Sequence, residues 1–172
     1  MMKTHDQPVA AQGRIETPLG PLTLWASARG LMAVLFDAQK HHPGDSAAPL
    51  DPHHPHIALA AQELNEYFAG SRRQFAVPLD PQGTPFQQAV WQALLEIECG
   101  ALSSYGEVAR RVGRPAAVRA VGAAVGRNPL SIIVPCHRVV GSDGSLTGYA
   151  GGLPRKRALL ALEGALSAEL AA

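Results

Sequence analysis

At 172 residues, 47% of them apolar and 17% charged, the chain has the balance of a folded protein with one or two small cores, which sets aside disordered and fibrous classes. No apolar run reaches the ~18 residues needed to cross a bilayer, and Met1–Pro8 lacks the apolar core of a signal peptide, so no membrane partner is expected and the cytoplasm is the expected location. Cys99 and Cys136 are too few for a disulfide framework or a four-thiolate zinc site, and each reads as a separate thiol. The net charge of +1 is unevenly spread, because residues 104–157 hold nine Lys and Arg against Glu107 and Asp143 alone. That segment reads either as a contact for a polyanion or as an arginine-rich solvated surface.

Residues 1–13 are polar and aperiodic and are expected to be disordered. From Arg14 to Asp37 the pattern is β. Arg14–Thr17 leads into the turn Pro18-Leu19-Gly20-Pro21, Leu22–Ala26 alternates, and Leu31–Phe36 is apolar and branched, giving a small antiparallel meander. Residues 38–55 contain Pro43, Pro49, Pro52 and Pro55 and, with His56, five histidines (41, 42, 53, 54, 56). The spacing permits a metal only weakly and no cysteine is near, so this is read as a solvated loop. Ile57, Leu59, Ala60, Leu64, Tyr67 and Phe68 recur at helical spacing up to Gly70. Gln74–Leu79 is extended, and Asp80–Gly83 is the expected boundary between a first domain, residues 1–83, and a second, residues 84–172.

The second half opens on helices with clear punctuation. Thr84-Pro85-Phe86-Gln87 is a capping box with proline at the first helical position, and its helix is expected to run through Ile97 and stop at Gly100. Ser104-Tyr105-Gly106-Glu107 is a second capping box, with its helix closed by Gly113. A third helix is expected from Pro115 to Val125, with Val118, Val121 and Val125 inward. Two short helices around Gly113-Arg114 fit a helix-turn-helix, and equally an ordinary αα-turn. The outer face of the third helix is nearly all Ala and Gly, with Arg119 as its one cation. Such a face suits close approach to another surface and offers no side chains for reading bases. The last helix opens at Pro154, with Leu159, Leu160, Leu162 and Leu166 inward; the loop at 148–152 lacks the Gly-Lys-Ser/Thr of a nucleotide-binding loop.

Between these helices lies Ile132-Ile133-Val134-Pro135-Cys136-His137-Arg138-Val139-Val140, an apolar run broken by a thiol, an imidazole and a guanidinium. A free thiol is mostly protonated at neutral pH and needs a base or a positive field to become a nucleophile. If the run is a strand, Cys136 and His137 point to opposite faces, and contact needs a bend or a bridging water. Glu163 is the best candidate to orient the histidine. On local chemistry alone Cys136 is either a nucleophile or an inert buried thiol. Cys99, flanked by Glu98 and Glu96, reads as structural.

Taken together, Asn128-Pro129, Ile133-Val134-Pro135-Cys136-His137-Arg138-Val139-Val140, Gly148-Tyr149-Ala150-Gly151-Gly152 and Leu162-Glu163-Gly164 resemble the O6-alkylguanine-DNA alkyltransferases. Phe86–Trp91, Ser104–Ala109 and Arg119–Gly122 fit as well, and the resemblance covers about residues 84–164, more loosely 14–83. It implies an α+β protein whose first domain is a small antiparallel sheet with a helix, ribonuclease H-like, and whose second is a winged helix-turn-helix carrying the acceptor cysteine. It implies repair of double-stranded DNA through the minor groove. O6-alkylguanine (and less readily O4-alkylthymine) is flipped out, and Cys136 takes the alkyl group irreversibly, once per molecule. Glu163, His137 and a water would activate Cys136, while Tyr105 and Asn128 hold and polarise the lesion. Arg119 would fill the gap in the stack, with Ala120, Gly122 and Arg114 on the DNA face. Val139, Tyr149, Ala150 and Gly151 would wall the pocket. Arg127, Arg155 and Lys156 are further expected phosphate contacts. Ala150 stands where the family often has serine, which bears on adduct size. No metal and no cofactor are expected, and the protein is expected to act as a monomer, with cooperativity on DNA left open. The competing readings are a damage-recognising DNA-binding protein without transfer, and a Cys–His hydrolase that turns over.

Overall fold

The computed structural model describes residues 7–166. Three strands, β1 (Ala11–Ile15), β2 (Leu22–Ala26) and β3 (Leu31–Phe36), form an antiparallel meander in the order β1-β2-β3. Leu22, Leu24 and Ala26 alternate into the core, whereas all six residues of β3 are buried. The first strand starts earlier than its sequence suggests. Gln12, polar and part of the supposed unstructured lead-in, pairs with Trp25, and its side-chain amide donates to the carbonyls of Ser46 and Ala48. Residues 1–6, the rest of that expected disordered segment, lie outside the described residues.

Helix α1 (Pro55–Phe68) packs on the sheet through Ile57, Ala60, Leu64 and Tyr67. The His54 ring caps it by accepting from the His56 backbone N–H, and His42 accepts likewise from Gly44. Two of the loop's histidines thus serve the backbone. Among the described residues no group of three or more His, Cys, Asp or Glu side chains is placed to hold a metal ion, and no helix is long and apolar enough to cross a membrane. Glu63, on the core face of α1, is fully buried. Its carboxylate accepts from the backbone N–H groups of Ala76 and Val77 and pairs with Arg72, so the extended 74–79 segment is moored by a buried charge as well as by the parallel bridge of Leu79 to Leu31 at the start of β3.

The second half holds α2 (Pro85–Leu94), β4 (Ser103–Ser104), α3 (Tyr105–Arg111), α4 (Val118–Gly126), β5 (Val139–Val140) and α5 (Leu153–Leu162). The capping box at Thr84 forms in both directions: Thr84 Oγ1 accepts from Gln87 N–H and Gln87 Oε1 from Thr84 N–H. The helix nevertheless ends at Leu94, short of Ile97. Glu96 and Ile97 bond three residues back rather than four, tightening the last turn, and acids at 96 and 98 are unfavourable at a helix C-terminus. Ser104 caps α3, but the box there is half made, because Glu107 turns outward to Arg110 and Arg111. Pro115 does not open α4; Arg114–Ala117 is a separate turn, and α4 begins at Val118 behind Ala117, which has no side chain to cap it. Val118 is therefore exposed, not inward. Leu162 is likewise exposed, while Leu159 and Leu160 are fully buried.

One apolar cluster runs through both halves, from Ala11 and Leu24 through Leu64, Trp91 and Val121 to Leu159. Burial of this set is the main favourable term holding the Cys136 segment against the N-terminal sheet and α1.

Candidate active site

The expected strand from Ile132 onward is not one. Ile132 has a φ of +73°, a left-handed conformation that strains a β-branched residue, and the chain turns repeatedly before Pro135. Cys136–Arg138 is a single 3₁₀ turn, and only Val139–Val140 is extended, pairing in parallel with Ser103–Ser104. In a 3₁₀ turn successive side chains leave about 120° apart. His137 and Arg138 can therefore converge on one partner, which a strand would forbid.

That partner is Glu163, at the C-terminal end of α5. Its Oε2 lies 2.8 Å from His137 Nε2, and Arg138 donates Nε to Oε1 at 2.8 Å and Nη2 to Oε2 at 3.0 Å. The third Arg138 donor reaches the Ile97 carbonyl at 2.6 Å. Tyr67, from α1 in the first half of the chain, donates its hydroxyl to Oε2 at 2.6 Å. Burial pushes the Glu163 carboxyl up, but the hydrogen bond from His137 and those from Arg138 outweigh it and hold it far below the usual carboxylate range. It is a fixed anion. His137, fully buried, is pushed below its ordinary value by burial against the pull of Glu163, so it is neutral at pH 7. With Nε2 bonded to a permanent carboxylate, the ring proton sits on Nε2 and Nδ1 carries the lone pair. Nδ1 is buried and has no protein partner.

Cys136 is 5% exposed. Burial raises its thiol, while the Asn128 amide and the charge of Lys156 pull it down, with a net upward shift. The resting group is a thiol. Asn128 is a buried brace: its amide donates to Val134 O at 2.8 Å and its oxygen accepts from Leu130 N–H at 2.9 Å, fixing the end of α4 to the approach to Cys136.

Lys156 does not meet phosphates. It is fully buried, and its ammonium donates to the carbonyls of Val139 (2.6 Å), Thr147 (2.7 Å) and Gly148 (3.3 Å), which joins β5 to the loop after it. Arg155 is not a free phosphate contact either; it lies 4.4 Å over the Phe36 ring and donates to Leu19 and Gly151 carbonyls. A Cβ on Gly151 would come within 2.9 Å of Phe36, so only glycine lets the loop approach the end of β3 this closely. Tyr149 meets Phe36 edge-on, with centroids 6.5 Å apart, and Ala150 O accepts from Lys40 N–H. Val139 is fully buried in β5.

Tyr105 opens α3 at the end of β4, and its hydroxyl accepts from Thr147 Oγ1 at 3.2 Å. A Cβ on Gly122 would lie 3.8 Å from its ring, so Tyr105 bridges the 147–152 loop and α4. Arg119, Ala120 and Ala123 are exposed on α4, and Arg114 lies 5.8 Å over the Phe86 ring. Cys99 is half-buried, and its thiol is raised by burial and by Glu163. Sequence reasoning gave no role to Tyr67 or Arg138. The one signal available was a guanidinium inside an apolar run, which demands a buried counter-charge.

A buried thiol followed by a histidine tied to a buried carboxylate, set among short helices, fits the alkyl-acceptor class of DNA repair proteins. Comparison agrees. The family described as 6-O-methylguanine DNA methyltransferase matches with its DNA binding domain over residues 85–165 and with its ribonuclease-like domain over residues 12–81. The methylated-DNA–protein-cysteine methyltransferase of Mycobacterium bovis is 50% identical over 149 residues, covering 87% of this chain and 89% of the relative; that of Haemophilus influenzae is 46% identical, covering 86% and 82%. The crystal structure of Mycobacterium tuberculosis OGT in complex with DNA superposes with a TM-score of 0.84 at 49% identity, covering 89% of this chain and 92% of that one. The chain belongs to the 6-O-methylguanine DNA methyltransferase family.

Proposed function

We propose that Cys136 is the acceptor through which this direct-reversal DNA repair methyltransferase removes an alkyl group from O6-alkylguanine, and less readily from O4-alkylthymine, in duplex DNA. Residues 1–83 would form a supporting domain and residues 84–172 the DNA-binding and acceptor domain. The observation that carries the reading is the buried His137, with Nε2 tied to Glu163 at 2.8 Å and Nδ1 left without a protein partner beside the thiol segment.

The chemistry balances as a displacement at carbon. The Cys136 thiol proton passes through a water to His137 Nδ1, and Glu163 stabilises the imidazolium. Sγ forms a bond to the alkyl carbon as the carbon–O6 bond breaks, and the electron pair returns to the purine, which takes up a proton at N1 from solvent while the imidazolium returns its proton to solvent. Tyr105, at the mouth, holds and polarises the departing base. A thioether is not displaced by water, so each molecule reacts once. Because burial keeps Cys136 protonated, the nucleophile forms only when His137 takes its proton. The exposed small face of α4 supports close approach to a groove without base readout, with Arg119 entering the stack as the base leaves. Arg114 and Arg127 are the exposed cations for phosphates. Val139, Tyr149, Ala150 and Gly151 wall the lesion, and Asn128 holds the acceptor turn rather than the base.

Mass spectrometry after incubation with a duplex carrying one O6-methylguanine tests this. A single methyl on Cys136, one per molecule, is expected. No adduct, an adduct on Cys99, or turnover beyond one equivalent overturns it.

A further inference from the structure

Glu163 is fixed from two directions. Arg138 and His137 come from its own half of the chain, but Tyr67 comes from α1, 96 residues earlier, and is 2% exposed. Its ring packs edge-on against Phe68 and tilted against Phe75, so the hydroxyl is aimed by a packed aromatic cluster. It donates to Oε2, the same oxygen that faces His137 Nε2.

We propose that Tyr67 is a positioning residue of the proton relay: by sharing Oε2 with His137 it sets how strongly Glu163 holds the imidazole, and so the basicity of Nδ1. This rests on the relay proposed above. A donor on Oε2 draws negative charge from the oxygen that receives the Nε2 proton. A weaker hold on that proton makes imidazolium less stable and Nδ1 less basic. Tyr67 thereby keeps His137 neutral, and ready to accept, further into acid. The other charged or titratable groups around the pair are Arg138 on the same turn, Lys156 on α5, Tyr149 on the loop before α5, Cys99 on the loop after α2, and Cys136 itself. Arg138 and Lys156 act in the same sense as Tyr67 and remain when Tyr67 is changed. The first domain thus enters the chemistry and does more than pack against it.

The test is the pH profile of single-turnover methyl transfer from an O6-methylguanine duplex, with protein saturating so that DNA binding does not limit the rate. Tyr67→Phe keeps the ring and removes the donor. Its acid limb should move up by about one pH unit, the shift expected for losing one hydrogen bond to a carboxylate, which makes transfer several-fold slower near the limb. Affinity for the same duplex, read by fluorescence anisotropy, should stay within about twofold. Fluorotyrosine at position 67 is near-isosteric and a stronger donor, and should move the limb the other way; it carries the test if Tyr67→Phe folds poorly. A limb that stays in place in both proteins overturns the proposal, whatever happens to thermal stability, because a purely structural contact lowers Tm without moving the profile. Failure of the unaltered protein to methylate Cys136 would instead overturn the relay reading itself.

Discussion

Replacing Arg138 by methionine, similar in length and apolar, isolates what the buried guanidinium contributes. Its side chain is 7% exposed and that of Glu163 1%, and each of its three guanidinium nitrogens donates a hydrogen bond. Without it Glu163 is a buried carboxylate left with Tyr67 and His137, and the Ile97 carbonyl loses its donor. Removing one partner of such a pair costs about 3–5 kcal/mol, a large part of the ~5–15 kcal/mol that typically holds a domain together. Arg14 and Asp37 provide an internal control. They form a two-bond pair of comparable distances, 3.1 and 2.7 Å, with both side chains about half exposed, so Arg14→Met should change little. Urea unfolding of the three proteins at pH 7 measures the difference. Acid adds a signed check. The folded Glu163 carboxyl is depressed, so its contribution is complete above the ordinary carboxylate range and is lost as pH falls through the folded value. Arg138 is one cause of that depression, so the variant should begin to unfold at higher pH than the parent. Equal losses for Arg138→Met and Arg14→Met, or an unmoved acid limb, would refute the reasoning.

Lys156→Met should release residues 147–152 from the acceptor strand. Faster amide exchange across that loop and slower methyl transfer at saturating protein are expected, and unchanged exchange would count against the anchoring role. Burial lowers the Lys156 ammonium to about 8 from 10.5. Between those values the unfolded chain holds the extra proton, so global stability should rise with pH while the loop, losing one N–H donor, exchanges faster. Thr84→Ala removes the Thr84 side-chain acceptor from the α2 cap and should cost about 1 kcal/mol in chemical denaturation with transfer kinetics unchanged; a loss below ~0.3 kcal/mol would mean the cap is solvated rather than stabilising.

Much of the second half of the chain is legible because its signals are local. Thr84, Pro85 and Gln87 announce α2 within four residues, Ser104 caps α3, and Gly113 closes it at a φ of +74°. The link from His137 to Glu163 was readable for a different reason: an isolated acid in a basic segment has few roles. The acceptor run misleads because Ile132, Ile133 and Val134 have strand propensity, yet tertiary packing bends them through a left-handed residue. Tyr67, Arg138 and Lys156 look in sequence like a core aromatic and two surface cations. Their roles depend on partners 96, 25 and 17 residues away, and no local pattern encodes that.

Helix α5 carries two unrelated parts of the site. Lys156 near its start grips the pocket loop, and Glu163 at its end grips the histidine. Seven residues apart, they lie two turns along one face, about 10 Å from each other. The loop proposed to wall the lesion and the carboxylate proposed to ready the thiol are thus mounted on a single short rod. When that rod shifts, both shift by the same vector, and their mutual alignment survives. Errors in its seating translate the site as a whole instead of shearing pocket from relay, and a lone ten-residue segment acts as the common datum from which both are measured.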